Sequence, residues 1–261
     1  MKILSVGCGN MGGAIISSLA EHGTDQITVV DPMVPSVPNG VTLKRDISEL
    51  GEQQFDMILV AIKPQMIPDI MPAYKAHLNE DGVLLSIAAG FSIKALESIF
   101  AERCVVRLMP NMPAKLGRGM NGLFGNKRLT TSMKRQLDQT LTPIGTHLWV
   151  KSEDMLDRFT AIAGSGPGYV LQFIEDYMKA AMELGFGEDE ARFLVLETIA
   201  GTVATAKASS EEIAVIRSSI VSKNGTTAAG LKALSQSDTL ENLMKRTLES
   251  AYHRATELRG S

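Results

Sequence analysis

The chain has 261 residues, 44% of them apolar and 21% charged, with a formal net charge of −3, enough to enclose one large or two modest cores. No basic run offers an electrostatic footprint for nucleic acid, and the apolar segments are too short and too interrupted by charge or proline to span a membrane. The N-terminus enters a strand directly, without the basic-then-apolar layout of a secretory leader, which points to a cytoplasmic protein.

The first apolar run, residues 3–6, stops at Gly7-Cys8-Gly9-Asn10-Met11-Gly12, and a helical pattern follows from residue 11 to about 22. Strand, glycine turn, helix is the context in which G-x-G-x-x-G signifies dinucleotide binding. Gly7 permits the tight turn, Gly9 has no Cβ to hold a pyrophosphate off the backbone, and Gly12 lets the helix lie close to the strand. Asn10 suits the helix N-cap, where free N–H groups and the positive dipole end receive phosphate oxygens. A second strand, Gln26–Val30, ends in Asp31, where an acid usually bonds an NAD ribose.

A loop rich in Pro and Val covers 32–40, and a short helix is expected at Ile47–Leu50. Residues 55–62 read as a parallel strand buried on both faces. Residues 65–78 read as a helix bent or shortened by Pro68 and Pro72. A buried strand at 83–88 leads to a helix at 93–100 capped by Ser92. Strands follow at Cys104–Met109 and 119–124, then a helix at 130–141 and a closing strand at 145–150. Strands regularly separated by helices predict an α/β fold, with a parallel, doubly wound sheet over 1–150.

From 151 to 261 no run reads as a strand, and helices are expected at 154–163, 169–184, 188–207, 211–220, 226–234 and 239–258. The last carries a one-sided apolar stripe, whereas 188–207 has apolar residues all round and must be buried on every side. About 110 residues have trouble enclosing such a helix, and Gly201, Thr202, Ala204, Thr205 and Ala206 add a surface suited to close helix contact. A second subunit is therefore expected to supply the missing cover. A monomeric bundle centred on this helix is the alternative.

Ligands of a doubly wound sheet bind beyond the C-terminal ends of its strands. Besides the glycine turn, three stretches fall there. In Ala61-Ile62-Lys63-Pro64-Gln65, Lys63 projects from a strand tip, towards cofactor or substrate or simply into solvent. Ala88-Ala89-Gly90 lets a cofactor approach the backbone, or is an ordinary strand end. In Met109-Pro110-Asn111-Met112-Pro113, Asn111 either orients a ligand or bonds its own turn. Two loops of the helical half, Gly164-Ser165-Gly166-Pro167-Gly168-Tyr169 and Ser222-Lys223-Asn224-Gly225-Thr226-Thr227, precede helices, as anion sites or as plain caps. The cysteines, Cys8 and Cys104, read as reduced thiols, and the four histidines lack metal-ligand spacing, so no metal is expected.

Taken together and in order, GCGNMG, AIKPQ, IAAG, MPNMPA, GSGPGYV and SKNGTTAAGL closely resemble the pyrroline-5-carboxylate reductase family. The resemblance runs over nearly the whole chain, and the paired signatures GSGP-Y and GTT are specific to that family. It implies an N-terminal Rossmann domain, here 1–150, and an all-helical dimerisation domain, here 151–261, interlocked with a partner's in a homodimer; rings of dimers occur in some members. The implied reaction is the last step of proline synthesis, in which NADPH or NADH reduces 1-pyrroline-5-carboxylate to L-proline. By the same resemblance, Ser222, Lys223, Asn224, Gly225, Thr226 and Thr227 form the substrate loop, with the Thr227 hydroxyl contacting the imine. Gly7, Gly9, Asn10, Met11, Gly12, Ala61, Lys63, Pro64, Ala88, Ala89, Gly90 and Asn111 fall in the cofactor loops. The family's commoner Ser-Pro-Gly-Gly stands here as Ser222-Lys223-Asn224-Gly225, and its Ser-Gly-Ser-Gly-Pro-Ala-Tyr as Ala163-Gly164-Ser165-Gly166-Pro167-Gly168-Tyr169. Loss of proline at 223 is expected to loosen the loop and to affect affinity more than activity.

A protonated imine is already electrophilic, so no acid is needed to polarise it, and the absence of an evident His or Glu base agrees with this chemistry. Asp31 would repel a 2′-phosphate, and no arginine follows it before Lys44 and Arg45; acceptance of both cofactors is expected, with NADH not the worse. An NADP-linked reductase of another imine or ketoacid would need a catalytic Lys or His in the helical half, where only Lys223 sits in a glycine-bearing loop. A nucleotide-sensing regulator would not need the GTT and GSGP-Y loops.

Overall fold

The computed structural model describes residues 1–22 and 26–260. By contacts the chain forms two compact units, Met1–Pro167 with Ser250–Ser261, and Gly168–Glu249.

In the first unit eight strands share one sheet: β1 (Lys2–Val6), β2 (Gln26–Val30), β3 (Thr42–Lys44), β4 (Phe55–Val60), β5 (Leu78–Ser86), β6 (Cys104–Met109), β7 (Gly119–Gly125) and β8 (Gly145–Trp149). Their order is β3-β2-β1-β4-β5-β6-β7-β8, and its first six positions give the order of the dinucleotide-binding doubly wound fold. The chain winds outward from β1 to β3, then returns to β4 and winds the other way, so the switch point lies between β1 and β4. The sheet is parallel from β3 to β6. Beyond that the parallel, doubly wound sheet expected from the sequence departs at one pair: β7 runs antiparallel to β6, with β8 parallel to β7. Only residues 110–118 join β6 to β7, and a parallel crossover takes about a dozen residues or more.

The central strands are buried on both faces, as their near-continuous apolar runs require. One layer of core gathers Ile3, Val29, Met57, Leu59 and Leu85 under Ile15, Ile16 and Leu19 of α1 (Asn10–His22). The other gathers Leu4, Ile58, Val60 and Leu84 against Ile67 of α2 (Ile67–Ile70), Met71, Tyr74 and Leu96 of α3 (Ile93–Ile99). Residues 65–78 do not form one helix. Pro64, Pro68 and Pro72 open successive short pieces, a 3-10 turn at Pro64–Met66, then α2, then a 3-10 stretch Met71–His77, because proline suits a first helical turn and breaks an interior. Ser92 caps α3 by accepting from the Ala95 N–H at 3.2 Å, and Thr130 caps α4 (Thr131–Leu141) the same way. The strand β3, three residues on the sheet edge, was not expected from the sequence.

After β8 comes α5 (Glu153–Phe159), which passes into a π-helical turn at Thr160–Gly164. The helices α6 (Gly166–Glu183), α7 (Glu188–Ala208), α8 (Ile213–Ser219), α9 (Thr226–Leu234) and α10 (Thr239–Gly260) follow. α7 begins with Glu188, Asp189 and Glu190 and has Lys207 in its last turn, charges that complement its dipole. Thr198, Thr202 and Thr205 donate their hydroxyls to carbonyls one turn back, which leaves a smooth surface without unmet donors. Yet of α7 only Ala191 and Val195 are buried, while Phe193 is 66% and Val203 51% exposed. The single chain leaves most of this helix uncovered. Among the described residues no helix is long and apolar enough to cross a membrane.

Candidate active site

The turn after β1 is fixed by its hydrogen bonds. Gly7 donates its N–H to Val30 O at 2.9 Å, and the buried Ser5 hydroxyl donates to Gly7 O at 2.7 Å. Gly7 sits at φ +92°, where a Cβ would also lie 2.7 Å from Ala61 O; only glycine serves here. A Cβ on Gly12 would lie 2.7 Å from that of Ala61, so Ala61 acts as the packing surface that brings α1 against the end of β4. Gly9 is different, because a Cβ there would meet nothing within 4 Å. It faces open space beside the start of α1.

That helix begins at Asn10, not after it, so Asn10 is the first helical residue and not the cap. Gly13 N–H bonds Gly9 O at 2.7 Å, and no acid occupies the first turn. The opening N–H groups, from Asn10 to Gly12, thus remain for an anion. The residues present fit a dinucleotide: an unobstructed glycine, an uncapped helix start, and Asp31 at the end of the neighbouring β2.

Asp31 is more tightly held than the sequence indicates. Its Oδ2 accepts from Cys8 N–H at 2.7 Å, and its Oδ1 accepts from Met33 N–H at 2.8 Å and Val34 N–H at 3.0 Å. Burial works against its ionisation, but these three N–H bonds and the charge of Arg45 hold its carboxyl below the ordinary aspartate value. Arg45, which sequence reasoning named only as the first arginine after Asp31, clasps the carbonyls of Asp31, Val34 and Pro35.

The other strand-end residues divide. Lys63 is exposed just after β4, preceding Pro64. Ala88 is buried and donates its N–H to Ser86 Oγ at 3.3 Å, and Ala89 is exposed. At Gly90 a Cβ would lie 2.6 Å from Leu258 O: the last turns of α10 rest on this loop, which is reason enough for a glycine. Those turns are pinned to α5 by Arg259 on Asp157 at 2.8 Å, and by Tyr252, which donates to Asp154 and stacks under Arg158. A further ion pair, not anticipated from the sequence, joins β6 to the start of α5. Arg107 of β6 meets Glu153 at 2.7 Å, and the same carboxylate oxygen accepts the Ile93 N–H at 3.0 Å.

Asn111 has both ends of its amide engaged, and not by its own turn. Its Oδ1 accepts from Met120 N–H at 3.0 Å and its Nδ2 donates to Ala163 O at 2.9 Å. The buried amide ties the turn after β6 to β7 and to the π-helical turn that leads into Gly164-Ser165-Gly166-Pro167. Pro167 is the second residue of α6, a position that proline favours.

In the second unit, the 222–227 loop is a turn closed by Gly225 N–H to Ser222 O at 3.1 Å. Asn224 takes the left-handed conformation, φ +59°, which asparagine tolerates better than most non-glycine residues. A Cβ on Gly225 would lie 2.2 Å from Ser222 Oγ, so any larger residue there would force the Ser222 hydroxyl to turn away. Gly225 caps α9 without any side-chain bond, so the first N–H groups of the helix are open to an anion, with Thr226 and Thr227 as its first two residues.

Among the described residues no cluster of three or more His, Cys, Asp or Glu could hold a metal ion. A family model described as pyrroline-5-carboxylate reductase dimerisation matches residues 153–258. One described as NADP oxidoreductase, coenzyme F420-dependent, matches residues 2–90. The pyrroline-5-carboxylate reductase of Pseudomonas aeruginosa is 32% identical over 264 residues, covering 98% of this chain and 96% of that one. Among solved structures, a pyrroline-5-carboxylate reductase from Coxiella burnetii is similar with a TM-score of 0.90 and 28% identity over 98% of each chain. The Plasmodium falciparum pyrroline carboxylate reductase, solved with NADP bound, has a TM-score of 0.86 and 28% identity over 99% of this chain and 98% of that one.

Proposed function

Because the chain belongs to the pyrroline-5-carboxylate reductase family, we propose that it reduces 1-pyrroline-5-carboxylate to L-proline with NAD(P)H, the last step of proline biosynthesis. The observation that carries this reading is the similarity over almost the full length of both chains, with the Ser222–Gly225 turn and both threonines kept despite the changes at 223 and 224.

The cofactor's reduced nicotinamide supplies the hydride when bound. The N–H groups of Asn10, Met11 and Gly12 would take the pyrophosphate on the start of α1 beside Gly9, with Gly7 fixing the turn, and Asp31 would hold the adenosine ribose. Lys63, Pro64, Ala88, Ala89 and Gly90 border the nicotinamide half. Asn111 shapes that border through Ala163 and Met120 instead of touching the ligand. The open N–H groups at the start of α9 take the substrate carboxylate, and the Thr227 hydroxyl bonds the ring nitrogen. That contact fixes which face of the imine is presented. Reaction demands that the acceptor carbon be held about 3–3.5 Å from the hydride donor, so orientation is the main task of the side chains. Division of labour follows the chain, with cofactor binding in 1–150 and substrate binding and dimerisation in 151–261.

The dimerisation match and the uncovered faces of α7 support a homodimer built through the C-terminal helices; rings of such dimers are the larger assembly, and light scattering on the purified chain tests both. Free, buried Cys8 and Cys104 accord with a cytoplasmic location. The reaction is tested by following NAD(P)H oxidation with pyrroline-5-carboxylate beside other cyclic imines, and by identifying proline as the product.

A further inference from the structure

We propose that Asp31 makes this reductase selective for NADH over NADPH, because its carboxylate occupies the place and uses the donors that a 2′-phosphate requires. This rests on reading the chain as an NAD(P)H-dependent reductase and sharpens that reading to one cofactor.

A phosphate on the adenosine ribose needs several N–H or cationic partners. Next to Asp31, the segment after β2 offers few of them. Pro32, Pro35 and Pro38 have no N–H. The N–H groups of Met33 and Val34 are committed to Asp31 Oδ1 at 2.8 and 3.0 Å. The nearest guanidinium, that of Arg45, is turned onto the backbone, where it donates to Asp31 O at 3.2 Å, to Val34 O and to Pro35 O at 3.4 Å. Ser36, exposed on the loop, offers one neutral hydroxyl against a full negative charge.

The loop is also not free to reshape around a phosphate. Val34, Val37, Val41 and Leu43 pack against the core beside α1, and Asp31 N–H donates to Lys44 O at 3.1 Å. What the carboxylate can still do is accept. An ionised carboxylate has about four lone-pair sites. Asp31 uses two on Oδ1 and one on Oδ2, the latter for Cys8 N–H at 2.7 Å. One site on Oδ2 remains, at the rim of the glycine turn. A ribose 2′-hydroxyl donates to such a site; a phosphate there has only negative charge and acceptors to offer.

The test is calorimetric titration of the full chain with NADH and with NADPH, without substrate, repeated on Asp31→Asn and Asp31→Ser, and a competition of 5′-AMP against 2′-AMP on the unaltered chain. Wild type should bind NADH at least about tenfold more tightly than NADPH, since a 2′-phosphate would face the like charge of the Asp31 carboxylate. Both substitutions should weaken NADH and shrink or reverse that ratio. 5′-AMP should displace NADH where 2′-AMP does not. If a substituted chain fails to fold, the wild-type ratio and the AMP competition decide. Equal affinity for the two cofactors in wild type, or an unchanged ratio in a folded Asp31 variant, overturns the proposal. A chain that binds NADH selectively but does not reduce the imine keeps this inference and loses the proposed reaction; one that reduces the imine equally well with NADPH does the reverse.

Discussion

Three glycines within five residues make separable predictions, because the structure gives each a different neighbour. A Cβ at Gly12 would sit 2.7 Å from Ala61 Cβ, whereas carbon atoms in contact prefer about 3.5–4.0 Å. Gly12→Ala must therefore push α1 and the end of β4 apart by about 1 Å. Overpacking of this kind costs about 1–3 kcal/mol, and the helix propensity gained, at most about 1 kcal/mol, does not cancel it. Gly13→Ala gains the same propensity, but its Cβ would find Cys8 O at 3.4 Å, a tolerable contact. At Gly9 a Cβ has nothing within 4 Å, so Gly9→Ala should leave stability unchanged and remove room for the pyrophosphate. Thermal unfolding and calorimetric titration with NADH, run on all three, separate the effects. Gly12→Ala should melt a few degrees below Gly13→Ala, at roughly 2–4 °C per kcal/mol for a chain of this size. Gly9→Ala should melt with wild type and bind NADH about tenfold or more weakly, a loss of about 1.4 kcal/mol or more. Wild-type NADH affinity in Gly9→Ala would refute the placement of the pyrophosphate. Equal melting of Gly12→Ala and Gly13→Ala would refute the role given to Ala61.

Thr227→Ala should lower kcat with pyrroline-5-carboxylate by about 10²-fold or more, the scale of losing one orienting contact, while NADH affinity stays near wild type; an unchanged kcat/KM removes Thr227 from the site. Arg107 is 2% exposed and pairs with the half-buried Glu153 at 2.7 Å, so Arg107→Met should cost about 1–3 kcal/mol by leaving that carboxylate without its charged partner, and Arg107→Met with Glu153→Gln should recover much of it. A double variant no more stable than the single in denaturant melts would contradict the pairing. Asp31 titrates below the ordinary aspartate value in the folded chain, so it adds stability above the unfolded pKa of about 3.9, and that contribution is lost as pH falls through the lower folded value. The melting-temperature gap between wild type and Asp31→Asn should accordingly be constant from neutral pH to about 5 and close below about 4. A gap that widens on acidification contradicts the three N–H bonds.

Much of the first unit could be read from the residues because local and global signals agree there. Gly7 and Gly12 each answer a separate steric demand of the folded chain, and the apolar runs of β1, β4 and the Val83–Leu85 part of β5 have no stable place except inside a parallel sheet. The direction of β7 is another matter, since an apolar alternation carries no sense of direction. The shortness of the 110–118 connection held that information. The strand β3 consists of Thr42, Leu43 and Lys44, only three residues and half exposed, too short for a period of two to register.

At the site, residue types identified positions better than partners. Asp31 was visible as an acid at a strand end, but its three N–H bonds and the turn of Arg45 onto carbonyls depend on the folded path of the proline-rich loop. Asn111 invited a ligand role, and the structure gives both ends of its amide to Met120 and Ala163. From the sequence Asn224 reads only as a departure from the family loop; its left-handed backbone, a conformation asparagine tolerates, emerges only in the structure. The apolar circumference of α7 announced burial in full, yet Phe193 and Val203 stay exposed in the single chain, which supports the proposed dimer.

The most direct test of the whole account is a steady-state assay of the purified full-length chain with pyrroline-5-carboxylate as acceptor, NADH as donor and proline quantified as product. Stoichiometric conversion of NADH and imine to proline, faster than with other cyclic imines, is the predicted result. Cofactor binding without imine-dependent oxidation, or faster turnover of a different imine, would contradict it.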